Sequence, residues 1–249
     1  MPLTFPIATL PVQRNSVRSN NNKIIQELIT FAGISVKPDG VFGPATETAV
    51  KEFQTKRGLP ATGIVDQKTF DLLVAPFKRA TAALPVNGRT LRQLLLAYAQ
   101  QHLAEHPLEI GGQNRGPWVR LYMDGHEGDQ WAWCAGFTTF VLKQACDTLG
   151  VAMPIKKSFD CDALVASAKT ANRFLAETKA AQRKNELFGS FFVVRNTSTD
   201  WNHVGIVTAV EPEIIRTIEG NTNDGGDREG FEVCARIRNF KTKDFILLG

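Results

Sequence analysis

Phe191-Phe192-Val193-Val194, His203-Val204-Gly205-Ile206-Val207 and Ile214-Ile215-Arg216-Thr217-Ile218 are three short apolar runs in close succession, followed by Phe231-Glu232-Val233-Cys234-Ala235-Arg236 and Phe245-Ile246-Leu247-Leu248. Each has the length and β-branched or aromatic content of a strand. Turn residues separate them and no helical stretch intervenes, which predicts an antiparallel sheet. Upstream the period is helical. Thr90 is placed to cap a helix running to about His106, with Leu91, Leu94, Leu95 and Tyr98 on one side. Residues 111–130 are rich in Gly, Asn and Asp and read as loop; a helix follows from about Ala132 to Leu149, ended by Gly150. Another apolar-periodic stretch covers about Phe159 to Ala171. Helices first and strands after is the α+β order.

Further out, the N-terminal third has a different character. After about twenty irregular residues, Asn22 is placed to cap a helix carrying Ile24, Ile25, Leu28 and Ile29, which Gly33 stops. Gly43-Pro44 opens a second helix with Ala49, Val50 and Phe53 on its core face and Gly58 at its end. Asp66 is placed to cap a third, with Phe70, Leu72 and Leu73. Pro76, an alanine cluster, Pro85 and Asn87-Gly88 then read as a connection. The chain divides into a small helical domain at 17–76, a linker at 77–88 and an α+β domain at 89–249.

Composition sets limits. With 43% hydrophobic residues and a net charge of +4 over 249 residues, the chain can build a core, which argues against disorder. No apolar run approaches the roughly 20 residues of a membrane span. Met1 to Asn20 lacks a basic start and is broken by three prolines, so no secretory signal peptide is expected. Residues 1–80 hold ten Lys and Arg against six Asp and Glu, and the rest hold nineteen of each. The whole excess thus lies on the small domain, which suits an anionic partner. The four cysteines form no C-x-x-C and are expected as free thiols; the four histidines lack zinc-ligand spacing.

The candidate chemistry lies in the second domain. Trp131-Ala132-Trp133-Cys134-Ala135-Gly136-Phe137 puts a cysteine in the first turn of a helix, where the positive end of the dipole favours thiolate. A nucleophile needs a base. His102, His106 and His126 read as solvated surface residues, whereas His203 starts an apolar strand. A hairpin centred on Pro212 would set Asn221 opposite His203 and Glu219 diagonal to it on the same face. Either could hold the imidazole and stabilise its charged form. Nucleophile, base and orienting group are the apparatus of acyl transfer. Cys146, Cys161 and Cys234 stand in no motif and read as core or helix-face residues.

Two resemblances carry this further. Asp39-Gly40-Val41-Phe42-Gly43-Pro44-Ala45-Thr46, then Ala49-Val50, Phe53-Gln54, Gly58-Leu59 and Thr62-Gly63-Ile64-Val65-Asp66 resemble the three-helix peptidoglycan-binding domain over residues 17–74. One departure is Asn20-Asn21-Asn22, where that family has Gly. "WCAGF", "HVGIV" and "IEGNT", with "GGQNRGPWV" upstream, are similar in order to the CHAP family, the cysteine- and histidine-dependent amidohydrolases and peptidases, over about 88–249. Gly189-Ser190 stands where that family commonly has Gly-Asp. The resemblance implies a papain-like α+β domain with Cys134 as nucleophile, His203 as general base, and Glu219 and Asn221 in the orienting positions. Asp124 to Gln130 looks like the calcium loop of some relatives. The nucleophile stands three residues beyond the place that pattern requires, so no metal or other cofactor is assigned.

The implied function is hydrolysis of peptidoglycan amide bonds, as N-acetylmuramoyl-L-alanine amidase or endopeptidase. The alternative is a binding protein with a degenerate CHAP-like domain. Peptidoglycan is the expected partner, bound by a monomer, with neither nucleic acid nor membrane involved. Without a signal peptide, the protein would be made in the cytoplasm and reach a bacterial wall as a phage lysin or as a secreted antibacterial effector, such as a type VI effector. An effector would bring an immunity protein.

Overall fold

Gln26 and Gln54 explain why the N-terminal motif has the form it has. The computed structural model describes residues 10–223 and 230–249, so part of the expected irregular start lies outside the described residues. Three helices form, α1 (Asn20–Phe31), α2 (Pro44–Lys56) and α3 (Gln67–Leu73). Gln26 on α1 shares its two Nε2 protons among Asp39 Oδ1, Val41 O and Thr46 Oγ1, each at 3.0 Å, and its Oε1 accepts the Gly40 N–H at 2.8 Å. Gln54 on α2 repeats the pattern. Its Nε2 reaches Thr62 Oγ1, Ile64 O and Thr69 Oγ1 at 2.8–3.1 Å, and its Oε1 accepts the Gly63 N–H at 2.9 Å. Gly40 and Gly63 adopt φ of +78° and +74°, a backbone that only glycine takes without strain. Each buried amide thus ties a glycine turn to a threonine on the next helix.

Ser19, not Asn22, caps α1: its Oγ accepts the Asn22 N–H, while the Asn22 side chain is buried and donates to the Val17 and Gly40 carbonyls. The asparagine is consumed by the core turn and so is lost to capping. Pro44 opens α2 after Gly43, and Asp66 caps α3 through the Thr69 N–H.

The expected linker is partly helical. α4 (Ala75–Thr81) begins with Pro76 in its first turn and buries Phe77 and Ala80, three residues apart on one face. Gln101 donates to the Ala80 and Ala82 carbonyls, and the Tyr98 hydroxyl accepts the Leu84 N–H. α5 (Leu91–Leu103) carries both halves of a capping box, Thr90 and Gln93. α6 (Pro117–Tyr122) lies inside the segment read as loop; Trp118, Val119 and Tyr122 are fully buried, and six residues are too few to show a period. α7 (Cys134–Leu149) ends at left-handed Gly150, and α8 (Cys161–Thr170) is capped by Asp160.

After β1 (Phe174–Leu175) and α9 (Glu177–Ala180) come β2 (Phe191–Arg195), β3 (Trp201–Val210), β4 (Ile214–Thr222), β5 (Glu232–Asn239) and β6 (Lys243–Ile246). They form one sheet in the order β1-β6-β2-β3-β4-β5 with every pairing antiparallel. The sixth strand, β1, is two residues long. α5 packs on α7, which lies against β3 and β4, and α8 lies against β3. Among the described residues no helix is long and apolar enough to cross a membrane.

One apolar core runs from Ile24 and Ile25 on α1 through α4 to α7 and the sheet. Its aromatic members form a file: Phe31 to Phe77, Phe77 stacked on Trp118 at 3.9 Å, Trp118 on Tyr122 at 6.0 Å, and Tyr122 on Trp133 at 5.6 Å. Beside it, Glu27 is fully buried and paired with Arg120, which also holds Glu127; Lys23 bridges both carboxylates. His102, read as a surface residue, is wholly buried between Tyr122 Oη (2.9 Å) and Gln144 Oε1 (2.8 Å). Burial pushes its pKa down to about 4.

Candidate active site

Cys134 is the first residue of α7, preceded by Trp133, whose side chain makes no cap. The thiol therefore sits among the unpaired N–H groups at the positive end of a 16-residue helix. It is 4% exposed. Gly136 lets α7 approach α6 closely; a Cβ there would lie 2.3 Å from the Met123 sulfur.

His203 comes from β3. Ile206 pairs with Ile218 and Val207 with Thr217, and the same register carried three residues on sets His203 across from Asn221 and Gly205 across from Glu219. The carboxylate reaches diagonally: Glu219 Oε2 lies 2.8 Å from His203 Nε2. Gly205 makes this possible, because a Cβ there would stand 2.7 Å from Glu219 Cγ and 2.6 Å from the Phe192 ring. Asn221 is buried nearby in left-handed backbone (φ +55°), where the β4–β5 register shifts. Of the two candidate orienting residues, Glu219 is the one on the imidazole.

Glu219 has partners that sequence reasoning missed. Arg238 on β5 binds it bidentately, Nε to Oε1 at 2.9 Å and Nη2 to Oε2 at 2.7 Å, and Thr217 donates to Oε1 at 2.5 Å. Burial opposes the charge on Glu219, but the Arg238 and His203 bonds outweigh it and hold the carboxyl down at about 2. Burial likewise opposes charge on His203; bonding to Cys134 and Glu219 outweighs it and raises the imidazole to about 9. His203 Nδ1 makes no hydrogen bond of standard geometry, yet Cys134 and His203 each shift the other's pKa. With Nε2 held by Glu219, Nδ1 is the nitrogen left for the thiol.

The second missed residue is Cys161, the first residue of α8. Its sulfur lies 3.9 Å from that of Cys134, so two helix N-termini converge on a pair of thiols. Cys134 is held well below the ordinary thiol range, first by the Cys161 S–H against the penalty of burial, then by His203 and a backbone hydrogen bond from Val204. Cys161 is pushed well above that range by the sulfur next to it and by burial. The sequence sets Cys161 among core or helix-face residues and does not reveal this contact, because nothing in it joins positions 27 residues apart. The one available signal was Asp160, a cap that sets Cys161 in a first helical turn as Cys134 is. For Arg238, the signal was an arginine in step with Arg236 along a strand.

In the 124–130 loop each carboxylate is paired with a cation: Asp124 with Lys157, Glu127 with Arg120 and Lys23, Asp129 with Arg115. Among the described residues no three His, Cys, Asp or Glu side chains converge as metal ligands. A surface cavity of 390 Å³ lies instead at the start of α1, lined by Arg18, Ser19, Lys23 and Asp39.

Residues 18–73 match the peptidoglycan binding domain family, a span covering α1 to α3 and both glutamine-clamped turns. No curated protein and no solved structure matches the chain. A peptidoglycan-binding module at residues 18–73 supports association with the cell wall and peptidoglycan as a partner.

Proposed function

We propose that this chain is a peptidoglycan hydrolase that cuts amide bonds with Cys134 as nucleophile, in a papain-like domain of CHAP type. The observation that carries the reading is the relay Cys134, His203, Glu219, with the thiol held low and the imidazole high. Such a pair stands as thiolate and imidazolium over a wide pH range. The Cys134 thiolate adds to the amide carbonyl carbon, and the oxyanion is met by N–H groups at the start of α7, that of Cys134 included. His203 gives its proton to the leaving amine and a thioester remains. Neutral His203 then takes a proton from water, which attacks the thioester and releases the acid. Glu219 keeps the imidazole oriented throughout, and Arg238 and Thr217 keep Glu219 charged and still. Asn221 borders the site as a positioning residue.

The bond cut joins muramic acid to L-alanine or lies within the peptide. The setting is a phage lysin or an antibacterial effector with its immunity partner, acting as a monomer on a bacterial wall. Purified peptidoglycan incubated with the full chain should release amines, and mass spectrometry of the muropeptides identifies the bond. Cys134→Ala and His203→Ala should each abolish release while leaving sacculus binding intact. Sustained release by either variant overturns the assignment.

A further inference from the structure

The Cys134–Cys161 contact has a chemistry beyond hydrolysis. The two sulfurs are 3.9 Å apart and both thiols are free. A disulfide needs about 2.05 Å, so the two sulfurs must draw closer as the bond forms. Both side chains start helices of useful length, 16 residues in α7 and 10 in α8, so both dipoles favour negative charge at the same point. Cys146 stands twelve residues further along α7, and Cys234 on β5, outside this convergence.

We propose that Cys134 and Cys161 are a peroxide-oxidisable dithiol that closes to a reversible disulfide and thereby masks the nucleophile. The Cys134 thiolate attacks the peroxide O–O bond, giving the sulfenic acid and, after one proton is taken up, one water. The Cys161 sulfur then gives up its proton and attacks the Cys134 sulfur; the S–S bond forms and the sulfenic oxygen leaves as a second water. Two thiols and one hydrogen peroxide become one disulfide and two waters, the sulfurs losing the two electrons that the peroxide oxygens gain. An added dithiol reverses the step by thiol–disulfide exchange and is itself oxidised. The depressed pKa of Cys134 makes it the attacking sulfur, and Cys161 resolves. Without a resolving thiol at this distance, a sulfenic acid at Cys134 would proceed to sulfinic acid, which a dithiol does not reverse.

The masking of activity rests on the hydrolase reading, whereas the bond itself does not, and the test separates them. The native full chain is treated with equimolar hydrogen peroxide and read by intact mass and a non-reducing peptide map. The expected result is a loss of about 2 Da, a cross-linked Cys134–Cys161 peptide, and full reversal by dithiothreitol. With peroxide raised to a roughly tenfold excess over either chain, Cys134 of Cys161→Ser should instead consume two peroxides and gain about 32 Da, at least tenfold faster than in the native chain, with no recovery by dithiothreitol. Equal over-oxidation of the two chains, with no cross-linked peptide, overturns the proposal. Should Cys161→Ser not fold, phenylarsine oxide on the native chain replaces it. One arsenical bound per chain, shielding Cys134 and Cys161 but not the half-buried Cys234 from alkylation, supports the pair, and no shielding overturns it. A reversible cross-link in a protein whose reduced form releases no amine from peptidoglycan leaves the dithiol standing and removes the hydrolase reading.

Discussion

Glu219 accepts bonds from His203, Thr217 and Arg238 on two carboxylate oxygens with no exposure to solvent. Removing a partner from such a buried charge costs more than a lost contact. Arg238→Met should destabilise the fold by about 3 kcal/mol, read as a lower midpoint in urea. The titrations have definite signs. His203 is raised from 6.5 to about 9, so its contribution to stability is complete below pH 6.5 and disappears as pH rises through 9. Amine release should fall over the same basic limb, because the leaving group loses its proton donor. Glu219→Gln should move that limb to lower pH and reduce turnover about a hundredfold, measured as a pH–rate profile. Glu219 itself is lowered, so its contribution exists above pH 4.5 and is lost as pH falls through 2. Cys134, His203 and Glu219 were legible in the sequence because each sits at a place its element defines: a helix start, a strand start, a diagonal across a hairpin. Arg238 and Cys161 were not, since their partners are fixed by strand register and helix placement that no local pattern encodes.

At the scale of elements, two kinds of glycine position these groups. Gly40 and Gly63 serve backbone shape, and Gly205 serves proximity, leaving the space that Glu219 Cγ and the Phe192 ring fill. Gly205→Ala should therefore cost about 2 kcal/mol and displace the carboxylate, with thermal melting and amine release falling together. Gln54→Ala should cost a similar amount, about 2 kcal/mol, by stranding the buried Gly63 N–H and its neighbours, and should loosen the helical module as seen by hydrogen exchange. Long periodic elements such as α5 and α7 were readable from their apolar spacing. α4, α6 and β1 were not: helices of seven and six residues make fewer than two turns and lack the side-chain cap that marks α3, a two-residue strand shows no alternation, and only burial of Phe77, Trp118 and Leu175 reveals why they form.

The whole molecule joins its two regions through side chains that the sequence places about ninety residues apart. Glu27 on α1 is buried against Arg120 on α6, and Phe31 and Phe77 meet Trp118 in one apolar core. Heating should consequently melt both regions in one calorimetric transition. Arg120→Met, which leaves the buried Glu27 carboxylate with only Lys23 as its cation, should lower stability by about 3 kcal/mol and separate the transition into two. Lys23 belongs to this junction, so some of the positive excess of the first eighty residues is paired with Glu27 and Glu127.

The file of rings from Phe31 to Trp133 ends one residue before the proposed nucleophile. A hydrolase whose anchor trails on a flexible leash sweeps a sphere and cuts wherever it lands. In the proposed hydrolase the anchor and the blade share one spine, which would make it a ruler: with a wall strand gripped, the scissile bond would lie at one set stride from the grip.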